Sequence, residues 1–148
     1  MPELSSREVI DRYVRAMGEG NVDVLPALIG GDIVEDYPQS GERIVGLDNW
    51  LAIIRNWPED ARSHIDRVVG SEDEWVAGPN WSITHLVGTG DQYWGTGHVR
   101  YPDGSVWHIV QLIELKHGKI ARLTSYFGAP FEAAEWRKPW VTQIPPQP

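Results

Sequence analysis

Cysteine is absent from the 148 residues, which removes disulfides, thiol nucleophiles and thiolate metal sites together. A reducing compartment suits that composition. No apolar run approaches the roughly 20 residues that span a bilayer. The opening stretch MPELSSREV has neither a basic segment nor an apolar h-region, so no signal peptide is expected. A cytoplasmic protein without membrane contact is the resulting expectation. Clustered positive charge is also missing: the net charge is −8, and the 13 Lys and Arg residues are scattered along the chain. Phosphate binding needs grouped cations that displace counterions, so nucleic acid is not an expected partner.

What the chain has in abundance is tryptophan, with 8 residues. Large rigid rings suit a pocket or an interface, and a packed core uses them too. The length suits one domain, 1–148, large enough to bury a core without staples. A Pro-rich tail from about residue 141 is expected to be loose.

Ser5-Ser6-Arg7-Glu8 forms a capping box, with Leu4 and Val9 placed as a hydrophobic staple. Val9, Ile10, Tyr13, Val14 and Met17 then fall on one helical face, and Gly18 and Gly20 end the helix. A second, shorter helix is predicted from Asn21 or Asp23 to Gly30-Gly31, with Pro26 in its first turn. Short strands follow at Asp32 to Asp36 and Glu42 to Val45. Asp48 is placed to cap a third helix bearing Trp50, Leu51, Ile54 and Trp57 on one face. Beyond Ser63 the pattern is of strands, at Ser63–Val69, Glu74–Val87, Gln92–Tyr101, Ser105–Lys116 and Lys119–Phe127. Turn signals at Gly88-Thr89-Gly90-Asp91, Pro102-Asp103-Gly104 and His117-Gly118 make these an antiparallel meander. Helices first and consecutive strands afterwards is an α+β order.

That order resembles the nuclear-transport-factor-2-like superfamily. Arg12-Tyr13-Val14, Gly20-Asn21-Val22-Asp23, Val34-Glu35-Asp36 and Ser40-Gly41 are similar in kind and spacing to ketosteroid isomerase. Asp103-Gly104, Gly118-Lys119-Ile120 and Tyr126-Phe127 resemble the polyketide-cyclase-like branch. The resemblance implies a cone-shaped fold in which three N-terminal helices pack on a strongly curved, mostly antiparallel sheet around a deep apolar pocket. It implies a cofactor-free acid/base enzyme and a homodimer formed through the outer sheet face. Carried over residue by residue, the isomerase base falls on Asp36 and the oxyanion-hole tyrosine on Tyr13. The protonated aspartic acid that accompanies this tyrosine in ketosteroid isomerase is replaced here by Gln111. A glutamine amide is a permanent donor and needs no raised pKa, but it is a weaker donor than a carboxylic acid.

Each of these residues has an ordinary structural alternative. Asp36 is either a desolvated base or a turn residue bonded to the backbone near Tyr37-Pro38. Tyr13 is either an oxyanion donor or core packing, and Gln111 either a second donor or a buried amide satisfied by neighbours. Strand parity places Trp107, Ile109, Gln111 and Ile113 on one face and His108, Val110, Leu112 and Glu114 on the other. Trp81, Ile83, His85 and Val87 share a face of their strand, making His85 the alternative acid or base and Trp81 a wall. Either Tyr93 or His98 enters the pocket from the next strand. Trp57 and Tyr126 complete the candidate substrate contacts. The five histidines lack a compact ligand spacing, so no metal is expected. Trp136-Arg137-Lys138-Pro139-Trp140 either closes over the pocket or packs on a partner.

Two functions fit these residues. One is isomerisation, cyclisation, dehydration or hydration of a small apolar carbonyl or epoxide compound. The other is a binding or association module of the same fold.

Overall fold

A computed structural model of the chain describes residues 3–58, 63–70 and 90–145. Helix α1 runs Ser6–Glu19, and its capping box is complete: Ser5 Oγ accepts from the Glu8 amide while Glu8 Oε2 accepts from the Ser5 amide at 2.8 Å. Its apolar stripe buries Val9, Ile10, Tyr13 and Ala16. The segment after it is shorter than its sequence suggests, a single 3₁₀ stretch at Val22–Ala27. Pro26 has no amide hydrogen to extend it as an α-helix. Gly30 and Gly31 do not stop a helix. They lie inside strand β1, Ile29–Tyr37.

Strand β2, Glu42–Val45, pairs antiparallel with β1. Helix α2, Leu47–Arg55, begins earlier than an Asp48 cap would place it. Gly46 occupies the cap, and Asp48 sits in the first turn, where its charge favours the helix dipole. Trp50 and Leu51 are the residues that α2 buries. The remaining strands are β3 Ser63–Gly70, β4 Gln92–Arg100, β5 Val106–Lys116 and β6 Lys119–Gly128. At the β5–β6 turn His117 and Gly118 both have positive φ, 54° and 76°, the twist-matched form of a two-residue hairpin. The strand predicted at Glu74–Val87 lies outside the described residues.

Among the described residues the six strands are ordered β2-β1-β6-β5-β4-β3. β3 to β6 pair antiparallel in sequence, but β1 lies parallel to β6, with Val34 beside Arg122 and Asp36 beside Thr124. The sheet is therefore mixed rather than a pure meander. Its parallel pair carries the first strand beside the last, which brings distant parts of the chain to one wall.

At the far edge, β3 pairs antiparallel with β4 and comes unusually close to it at two glycines. A Cβ on Gly95 would meet Ile65 Cγ2 at 2.7 Å, and one on Gly97 would overlap the His64 carbonyl oxygen. The register slips between Ile65 and Arg67 at that close approach. Curvature of this edge thus depends on two missing side chains. The helices cover the concave face around a core that includes Ile10, Tyr13, Leu25, Ile33, Trp50 and Leu123. On the convex face Val110, Leu112 and Tyr126 are exposed at 40%, 44% and 42%.

Candidate active site

Alternation along β1 sends Ile33, Glu35 and Tyr37 toward the helices and Asp36 the other way. Glu35 is only 3% exposed. Its carboxylate accepts from the Trp50 indole N–H at 2.9 Å and from the Ser125 hydroxyl at 3.0 Å. Ser125 accepts from Gln111 Nε2 at 2.9 Å, and the Tyr13 hydroxyl donates to Gln111 Oε1 at 2.8 Å. One chain of bonds therefore runs from α1 through β5 and β6 to β1 and α2. Among the described residues no buried side-chain nitrogen or oxygen lacks a partner. Burial in such a network costs little only when every group is satisfied.

The network forms part of the wall of a cavity of about 300 Å³, which Tyr13, Glu35 and Gln111 line together with Met17, Ile54 and Ile109. Desolvation pushes the Glu35 carboxyl up from 4.5 to about 7, against the opposing effect of its bonds from Trp50 and Ser125. Burial, and then the Glu35 charge, drives the Tyr13 phenol well above its ordinary value. Burial and the charges of Glu35 and Glu42 also raise Tyr37. A second cavity of about 570 Å³ adjoins the first, sharing Tyr37, Trp57, Pro58 and Phe127 as lining residues.

Asp36 is not brought to Tyr13 and Gln111. It lies on the convex side, where Arg43 holds both carboxylate oxygens at 2.6 and 2.9 Å and Arg122 approaches to 2.9 Å. Those guanidinium groups lower its carboxyl below the ordinary value, the reverse of a desolvated base. The turn alternative is not its state either, because its oxygens are bonded to side chains across the sheet. Tyr13 and Gln111 do meet. Trp57 lines both cavities and Trp107 the outer one. Tyr93 points inward but is packed in the core, with the Arg7 guanidinium 5.4 Å from its ring centre. His98 faces away, stacked on His64 at 5.2 Å and 3.0 Å from Asp66. Tyr126 is on the convex face. His85 and Trp81 lie outside the described residues. Trp136 and Trp140, 71% and 78% exposed, line neither cavity. No three His, Asp or Glu side chains among the described residues are grouped to hold a metal ion.

Sequence reasoning missed Glu35, Ser125 and Trp50 as one unit. A signal for the first was present: Glu35 sits midway between Ile33 and Tyr37 at strand period, on the apolar parity of β1.

Glu35 also links pH to stability. Its folded value lies above its unfolded one, so between about 4.5 and 7 the native state binds more protons than the unfolded chain. The contribution is fully present below 4.5 and is lost as pH rises through about 7, a change on the order of 3 kcal/mol. Denaturant unfolding of wild type and Glu35→Gln at pH 5 and pH 8 checks this. Wild type is expected to lose stability relative to the variant at the higher pH, whereas parallel curves would remove the buried-acid assignment.

A mixed, curved sheet packed with helices on its concave side, around a cavity with a polar network in its wall, defines an α+β protein of the nuclear-transport-factor-2-like class. Residues 10–123 match the SnoaL-like domain, and the chain belongs to that family. No curated protein matches the sequence significantly. Among solved structures, a protein assigned as a ketosteroid isomerase from Kribbella flavida is 18% identical with a TM-score of 0.74, over 96% of this chain and 91% of that one. An NTF-2 like protein of unknown function from Burkholderia xenovorans is 28% identical, with a TM-score of 0.66 over 95% of both chains. An LEH-like epoxide hydrolase of M. tuberculosis is 14% identical with a TM-score of 0.56, over 82% of this chain and 81% of that one. The first and third likenesses are of fold alone.

Proposed function

We propose that the protein is a cofactor-free general acid/base enzyme acting on a small apolar carbonyl or epoxide compound, with Glu35 as the group that moves the proton. The observation that carries this reading is a carboxyl 3% exposed, in the wall of a cavity and raised to about 7. The carboxylate of an acid poised near neutrality can take a proton from a C–H beside a carbonyl and return it elsewhere, or take one from a water that attacks an epoxide carbon and pass it to the oxygen freed as the C–O bond breaks. Gln111 uses one amide hydrogen on Ser125, and a primary amide carries two, so the second is available to a substrate oxygen. Tyr13 donates to Gln111, so it serves the same oxygen only by turning from that partner.

Support comes also from the family, whose relatives include proteins named ketosteroid isomerase, epoxide hydrolase and polyketide cyclase. A panel of small apolar ketones and epoxides, assayed from pH 5 to 9, tests the reading. Base catalysis by Glu35 predicts kcat/KM rising with pH and levelling off above about 7. A profile without an inflection near 7 for a turned-over substrate would remove Glu35 from the role.

The second reading, a ligand-binding module, draws on one feature: every member of the network already has its bond. A tightly bound small molecule returned unchanged after long incubation supports it. Either reading takes exposed Val110, Leu112 and Tyr126 as the face that pairs with a second copy. Light scattering at twice the 16.7 kDa chain mass is expected, and a monomer mass contradicts it.

A further inference from the structure

The outer cavity differs in chemistry from the inner one. Five of its lining side chains are aromatic: Tyr37, Trp57, Tyr101, Trp107 and Phe127. Tyr37 meets Phe127 at 5.8 Å and 70°, and Tyr101 meets Trp107 at 5.6 Å and 70°. Rings set nearly at right angles make the corners of a box, whereas a slot for a flat ring system needs walls that face one another in parallel. Trp57 lies 6.0 Å from Phe127 at 33°, a tilted third wall beside the two corners.

Charge points the same way. Glu42 is the one charged side chain among the described residues lining this cavity. The neighbouring Arg43 is held by Asp36 on the convex side, and Arg55 lines the inner cavity and not the outer. Aromatic faces carry a negative quadrupole and attract cations, most strongly where water is excluded. With a carboxylate at the rim and a chain of net charge −8, the field around the mouth favours positive ligands.

We propose that the outer cavity is an aromatic box for an alkylated ammonium group, with Glu42 as its counter-charge. The ligand would then be bipartite, its cationic end in the outer box and an uncharged apolar end at Glu35 in the inner cavity. The assignment of the second end rests on the proposed function; the cation box does not. Glu42 sits on the edge strand β2, opposite Tyr37 in the β1 register, which carries its carboxylate to the side on which the rings stand.

Choline and dimethylbutanol, its uncharged isostere with carbon in place of nitrogen, separate charge from shape. Binding of each to the full chain is read by tryptophan fluorescence and calorimetry. Choline is expected to bind about tenfold tighter than the isostere. Glu42→Gln, a change at an exposed position that does not threaten folding, should weaken choline severalfold and leave the isostere unchanged. Trp107→Leu should weaken choline about tenfold. Equal affinity for the two probes, no choline binding, or choline affinity unmoved by Glu42→Gln would each overturn the proposal. Glu35→Gln keeps the two ideas apart: retained choline binding with lost turnover upholds both, and retained binding with unchanged turnover upholds the box while removing Glu35 as catalyst.

Discussion

Glu35→Gln is expected to lower kcat by roughly 10²–10⁴-fold on any compound the protein turns over, the usual contribution of a positioned general base. The substitution keeps the shape of the side chain and its bond from Trp50, so the fold should be retained and circular dichroism should not change. The neighbouring change Asp36→Asn should leave turnover within about tenfold. Asp36 stands on the other side of the sheet with Arg43 and Arg122, and has no contact with the cavity wall that holds Tyr13 and Gln111. The pair of variants therefore decides between two adjacent carboxylates. Loss of activity in Asp36→Asn with none in Glu35→Gln would reverse the assignment.

Gly97→Ala is the substitution with the largest expected effect on stability. A methyl group there overlaps the His64 carbonyl oxygen and lies 2.7 Å from the His64 carbonyl carbon and 2.8 Å from Ile65 Cα. These are backbone atoms of β3, so no rotamer change relieves the overlap, and β3 must move off β4. Crowding of this kind is among the mechanisms that exceed the usual range for single changes, so a loss of at least about 3 kcal/mol is expected. For a chain of this length that corresponds to a fall in Tm of roughly 10 °C. A Tm within about 2 °C of wild type would mean that the β3 backbone does not lie against Gly97 as described. Gly128→Ala, where no atom lies within 4 Å of the added carbon, is the matched control.

Most of the fold was legible because its signals are local. The capping box at Ser5, the apolar stripe through Tyr13 and the His117-Gly118 hairpin each depend on a few neighbouring residues, and each is present in the structure. Parity on β5 likewise put Gln111 and Trp107 on the concave side. What could not be read was set by distant partners. The parallel pairing of β1 with β6 joins residues that lie far apart in the chain, and it is this pairing that carries Ser125 to Glu35. Gly95 and Gly97 look like weak strand residues until the close approach of the β3 backbone is seen.

The choice between Glu35 and Asp36 turned on one position. Successive side chains of a strand point to opposite faces, so a shift of one residue exchanges cavity and solvent. The family pattern pointed to Asp36, while the apolar residues at Ile33 and Tyr37 pointed to the intervening glutamate. The structure turns Glu35 toward the cavity and Asp36 to the other face, where Arg43 and Arg122 bond it.

The titration of Glu35 itself tests the central claim most directly. With ¹³C-labelled glutamate and Glu35→Gln to assign the signal, its carboxyl resonance can be followed by NMR across the acid and neutral range. A midpoint near 7 is the expected result, and a midpoint at the ordinary carboxyl value of 4.5 would contradict the reading of Glu35 as a buried acid poised for proton transfer.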